Sequence, residues 1–102
     1  MPAETLDNLP ITANANAQAQ LVKLLSTELN SAFIMLKTAE VDASLDLVSR
    51  IALLAKLRST LRIVRRFEAR VEHATVALHI KARAVELESA LRALQTKWRI
   101  RH

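Results

Sequence analysis

Glycine, cysteine and tyrosine are absent from this chain of 102 residues, and it holds only two prolines, two phenylalanines and one tryptophan. Each absence closes off a class of structure or chemistry. Tight β-hairpins need residues with positive φ, which glycine supplies most readily, so a glycine-free chain is a poor builder of hairpin sheets. The same lack removes phosphate-cradling loops, because neither a Walker loop nor a dinucleotide fingerprint can be written without glycine. Without cysteine there is no disulfide, no thiolate nucleophile and no zinc–thiolate site. No apolar run reaches the roughly 18 uncharged residues of a membrane span, since Arg50, Lys56, Arg58 and Arg62 interrupt the most hydrophobic region. No basic residue precedes Lys23 and no apolar h-region occupies the first 20 positions, which argues against a secretory signal. The expectation is a soluble, cytoplasmic protein.

What is present is helical material. Alanine and leucine occur 17 times each, and both rank among the strongest helix formers. The expected fold class is all-α, in about one domain with a modest core. Charge is unevenly spread. Residues 1–46 carry two lysines against six acids, whereas residues 47–102 carry 13 basic residues against four acids. That asymmetry suits nucleic acid or another acidic partner, and equally an acidic first helix meeting basic later helices in the same subunit or a neighbour.

Both prolines lie in residues 1–12, which show no helical period and read as a flexible arm ahead of a single helical domain over 13–102. The stretch ANANAQAQ (13–20) reads as the fraying start of the first helix. Leu21, Val22, Leu25, Leu29, Ala32, Phe33, Leu36 and Ala39 recur at i+3 and i+4, giving a first helix to about Glu40. Asp42 or Ser44 is the expected N-cap of a second helix over 45–71, with Asp46 in its first turn. Its stripe is Leu54, Leu57, Leu61, Val64 and Val71, interrupted by Glu68. The next stripe, Ala77, Ile80, Ala84, Leu87, Leu91, Leu94 and Trp98, is out of phase with it, which places a turn near His73 to Thr75. Three helices with short connections predict an antiparallel three-helix bundle with long helices. The alternative is a helical hairpin with one very long helix, dimerised as a coiled coil. In layout, the paired amphipathic helices with spaced alanines are similar to tetratricopeptide-like and microtubule-interacting-and-trafficking-type bundles. The aromatic positions and the repeat of a tetratricopeptide array are missing, and no residue role is carried over.

The run AKLRSTLRIVRRFEAR (55–70) is the first candidate site. At about 100° per residue, Arg58, Arg62, Arg65, Arg66 and Arg70 fall within an arc of ~140°, with the apolar stripe on the far side. They form either a solvated face or a phosphate-contacting stripe for nonspecific nucleic-acid binding. Phe67 falls nearer the apolar side, so no stacking platform is interleaved with the arginines. Arg50 points along the apolar arc, either as a buried anion site or as the partner of Asp46 one turn earlier. His73, His79 and His102 have no metal-pair spacing, and no serine or threonine stands in a recognisable catalytic arrangement. Neither a metal, a cofactor nor a small-molecule substrate is expected, and the protein is read as a non-enzyme.

The second candidate site is an excess of apolar residues. Leu24, Ile34, Met35 and Val41 lie opposite the main stripe of the first helix, and the segment from Leu47 to Ala55, including Leu53, is apolar nearly all round. Trp98 adds either a cap on the bundle end or an exposed anchor. A helix apolar on both sides is normally covered on both sides. The expected function is therefore a helical protein–protein interaction module of unknown pathway, forming a homodimer or meeting another helical protein through Leu24, Ile34, Met35, Val41, Leu53 and Trp98. A small basic nucleic-acid-binding protein is the alternative.

Overall fold

A computed structural model describes the backbone of residues 3–100 and the side chains of residues 15–100. The chain forms three α-helices, α1 (Ala3–Val41), α2 (Leu47–Glu68) and α3 (Ala74–Trp98), with no strand among the described residues. Every helix packs against both others. Two long-range hydrogen bonds fix the direction of travel. Gln18, early in α1, meets the end of α2, while Lys97, late in α3, reaches the carbonyl of Glu40 at the end of α1. Helices α1 and α3 thus run alongside each other, with α2 antiparallel to both, giving a three-helix bundle. Helix α1 is assigned from Ala3; the arm expected over residues 1–12 falls where side chains lie outside those described.

Each stripe of the sequence becomes a wall of one core. Leu25 and Leu29 of α1, Leu54, Leu57 and Val64 of α2, and Ile80 and Leu87 of α3 are fully buried. Each such side chain contributes roughly 1.5–3 kcal/mol of transfer free energy. Between them sit Ala32, Ala39 and Ala84, also buried. Their small side chains leave room for the helix backbones to approach. Val71 closes the α2 side of the core from just beyond the helix end.

The long single-helix alternative is excluded by the chain path. Helix α2 ends at Glu68 and α3 begins at Ala74, so the phase change between the two stripes is a real turn. His73 is the N-cap of α3, its Nδ1 accepting from the backbone N–H of Val76 at 3.4 Å. The turn is also held from outside. The Gln18 side chain donates through Nε2 to the Arg70 carbonyl and accepts through Oε1 from the Glu72 N–H, both at 2.9 Å. One amide therefore satisfies two backbone groups that no helix can reach. Within the polar stretch 13–20, Gln18 is a latch on the α2–α3 turn.

At the other connection the expected caps need correction. Asp46, not Asp42 or Ser44, is the N-cap of α2, accepting from the Ser49 N–H at 2.7 Å. Helix α2 accordingly spans Leu47–Glu68 rather than 45–71. Asp42 instead accepts from Ser44 and shapes the connection before the helix. The Ser44 hydroxyl lowers the Asp42 pKa, and the Ser49 N–H does the same for Asp46. Both carboxylates are ionised at neutral pH, and their support is lost only in acid, as pH falls through their lowered values.

Helix α3 ends without glycine. Arg99 takes the left-handed conformation at φ 57°, and among the described residues it is the one non-glycine residue with positive φ. The Ile100 N–H reaches the Gln95 carbonyl and the Arg99 N–H reaches Thr96, the two bonds of a Schellman motif. Ile100 packs against the core. A residue with a Cβ at this position carries a penalty of about 1–2 kcal/mol. Arg99→Gly is expected to stabilise the bundle by about 1 kcal/mol in urea unfolding, whereas Arg99→Ala leaves it unchanged.

Candidate interaction surface

The outer face of α2 changes character along its length. At about 100° per residue, Leu47, Val48, Ile51 and Ala55 lie in the same ~100° arc as Arg58, Arg62, Arg65 and Arg66, and Arg70 follows in the turn beyond the helix end. The core takes the adjacent arc, through Leu54, Leu57, Leu61 and Val64. One surface stripe is therefore apolar over the first turns of α2 and cationic over the rest. Leu47, Val48 and Ile51 are 62%, 76% and 49% exposed. Val41, at the end of α1 just before the connection, is 83% exposed, and Ile34, seven residues earlier, is 68% exposed.

The expected partner residues divide. Ile34, Val41 and Leu24 are at least half exposed. Met35, Leu53 and Trp98 are half-buried and packed against the core, so they contribute to the fold. Sequence reasoning marked the apolar segment that opens α2 but selected Leu53 within it, whereas Leu47, Val48 and Ile51 are the residues that face solvent. The signal was available. With Leu54, Leu57 and Leu61 fixed as the core seam, Leu53 falls on the side turned toward a neighbouring helix, and Ile51 and Val48 fall away from it. On α3, Leu78 and Val85 are also exposed, one heptad apart.

The basic run divides as well. Arg65 is tied into the molecule, with its guanidinium 3.4 Å from Glu68 and 3.3 Å from Glu88, while Arg92 lies 3.9 Å from the other oxygen of Glu88. Arg58 is partly buried. Arg62, Arg66 and Arg70 are exposed and take part in none of these ion pairs. The Arg66 and Arg70 guanidinium groups lie 5.7 and 5.0 Å from the Phe67 ring centroid. Phe67 is half-buried against the core with cations on its outer side, which makes it a support for arginines and leaves little ring face for a base.

Arg50 does not pair with Asp46, whose carboxylate caps α2. Its guanidinium lies over Trp98 at 5.2 Å from the ring centroid, and its Nε is buried without a partner. These two residues, with Lys97 and the end of α1, line a cavity of about 220 Å³ at the bundle end. Glu40 and Asp42 line the same cavity, so residues of both charge signs surround it. No group of three or more His, Asp or Glu residues fit to hold a metal occurs among the described residues. Among them, no helix is long and apolar enough to cross a membrane.

Compared with known proteins, the chain matches no family model, no curated protein and no solved structure.

Glu68 is the one acid set into the α2 core stripe. Its side chain is 11% exposed, and Oε2 is buried with no hydrogen-bond partner. A buried carboxylate with one satisfied oxygen costs more in desolvation than it returns. Glu68→Leu is expected to raise the stability of the bundle by about 1 kcal/mol in chemical unfolding, because Arg65 keeps Glu88. A loss of stability would mean that the Arg65–Glu68 pair outweighs the buried oxygen.

Proposed function

We propose that this chain is a non-enzymatic helical interaction module that self-associates through the apolar surface at the α1–α2 end. The observation that supports it is the exposure of Val41, Leu47, Val48 and Ile51 beside one connection, with Ile34 further along α1. Scattered apolar residues are normal on a surface, but a contiguous group on a small protein marks a place where another surface fits. Burying it removes apolar area from water at roughly 25 cal/mol per Å², against the entropy cost of association. The double substitution Val48→Lys and Ile51→Lys leaves the core untouched, since both side chains point outward. It is expected to halve the mass in sedimentation equilibrium while the helical circular dichroism is retained. An unchanged mass moves the contact elsewhere, and a wild-type chain already monomeric at high concentration removes the reading.

A second reading rests on Arg62 and Arg66, exposed on the outer face of α2, and Arg70, exposed in the turn that follows it. Such a stripe suits phosphate backbones without sequence readout, and its binding falls steeply with salt. Fluorescence anisotropy with a random duplex and a single strand at about 50 and 200 mM salt checks it. On this reading binding is micromolar at the lower salt, drops by orders of magnitude at the higher, and disappears in an Arg62→Glu, Arg66→Glu, Arg70→Glu variant. No binding at either salt leaves these arginines as a solvated face.

A further inference from the structure

The core stripe of α2 runs through Leu54, Leu57, Leu61 and Val64, and one turn before Leu54 the same stripe holds Arg50. A leucine there would extend the seam, so packing gives no reason for the charge. Nor does an ion pair with Asp46, whose carboxylate caps α2. The Arg50 guanidinium lies over the Trp98 ring, 5.2 Å from its centroid, and among the described residues none accepts a hydrogen bond from it. A guanidinium carries five N–H donors, and that of Nε is already out of water. A buried donor without an acceptor is a standing cost to the fold. The cost is relieved when an acceptor enters beside it and the guanidinium turns toward that acceptor.

The space for one is the cavity of about 220 Å³ that Arg50 and Trp98 line, with Lys97 from the end of α3 and Glu40 and Asp42 from the end of α1. Val41 and Lys97 are exposed, so the cavity opens to solvent. Two basic and two acidic residues leave its lining without net charge. One pair or the other opposes a plain anion or a plain cation, whereas a ligand carrying one charge of each sign meets both. Asp42 is ionised at neutral pH, because the Ser44 hydroxyl lowers its pKa. Both Ser44 hydrogen bonds fall on its Oδ1, which leaves Oδ2 to receive a donor. Lys97 gives one N–H to the Glu40 carbonyl at 3.1 Å and keeps two more. Ala39 and Val41 add apolar wall. Since a cavity of about 150 Å³ holds benzene, this one holds a ligand of roughly eight or nine non-hydrogen atoms. We infer that the cavity is a binding site for a small zwitterion of the amino-acid class, with its carboxylate on Arg50, its ammonium on Asp42 and its apolar side chain against Ala39 and Val41. All of these groups belong to one copy, so the site does not depend on self-association.

Trp98 is the only tryptophan and tyrosine is absent, so the ultraviolet emission of the chain reports on this cavity. L-Valine has the right size and serves as the probe. Its analogue 3-methylbutanoate lacks the ammonium, and isobutylamine lacks the carboxylate. At neutral pH and constant ionic strength, valine is expected to shift the emission saturably in the millimolar range, and each analogue to bind about tenfold more weakly or less. In calorimetry, Arg50→Met is expected to weaken valine about tenfold or more. Asp42→Asn, which keeps an acceptor for Ser44, brings valine down to the level of 3-methylbutanoate. The Val48→Lys, Ile51→Lys variant binds valine as the unaltered chain does. Circular dichroism confirms that each variant keeps its helices.

Equal midpoints for valine and 3-methylbutanoate would overturn the zwitterion in favour of a plain anion site. Undiminished binding by Arg50→Met would overturn the role of the guanidinium. Loss of binding in the Val48→Lys, Ile51→Lys variant would overturn a site made within one copy and move it to the contact between copies. No change in emission and no heat of binding with any of the three probes would overturn the site itself, whatever the mass measured by sedimentation.

Discussion

The bundle depends on a seam of leucine and alanine where three helical stripes meet. Leu25 and Leu29, Leu54 and Leu57, and Ile80 and Leu87 share it, all removed from water. Buried Ala32, Ala39 and Ala84 occupy the points where a larger side chain would push the helices apart. With no glycine to bend the chain and only short connections, each helix can satisfy this seam from one face alone. Everything on the other faces is released from the demands of folding. Hydrogen bonds then fix the ends: Gln18 on the α2–α3 turn, Asp46 at the start of α2, and the Schellman pair around Arg99 at the end of α3.

That division makes the outer surface informative. Residues on the seam are apolar because the core requires it. Leu47, Val48 and Ile51 have no such reason, since their removal would leave no cavity. The same holds for Ile34 and Val41 on the back of α1. In contrast, Met35, Leu53 and Trp98 are apolar residues whose place against the core accounts for them without any partner. Burial thus separates two kinds of apolar residue that composition treats alike.

Much of the fold was legible because helical period is a local property. The stripe from Leu54 to Val64 and the stripe from Ile80 to Leu94 follow from spacing alone, and the break between them shows as a slip in phase although neither glycine nor proline marks it. The chosen cap was less legible. Asp42, Ser44 and Asp46 are all competent capping residues within five positions, and the decision rests on where α1 delivers the chain. Gln18 was invisible for a similar reason: an amide in a polar tract gives no sign that a turn some fifty residues later will come to rest beside it. At the site, the arginine arc and the apolar opening of α2 were both apparent as separate features. Their alignment on one face follows from the Leu54, Leu57 and Leu61 stripe already read from spacing, which sets Leu53 toward a neighbouring helix and Ile51 away from it.

Charge leads to the same face. The sequence divides into an acidic first part and a basic remainder, yet the ion pairs made by Arg65 and Arg92 use Glu68 and Glu88, acids of the basic part itself. Glu28 and Glu40 of α1 take no part in them, and Lys97 approaches Glu40 only at its backbone carbonyl. Of those pairs only Arg65–Glu88 joins α2 to α3, and none of them sets an arginine of α2 against an acid of α1. A lone bundle would gain solubility and lose self-repulsion by mixing both signs over this surface. The face instead keeps its apolar residues at one end and its cations at the other. In the self-association proposed above, the apolar end of this face supplies the attraction.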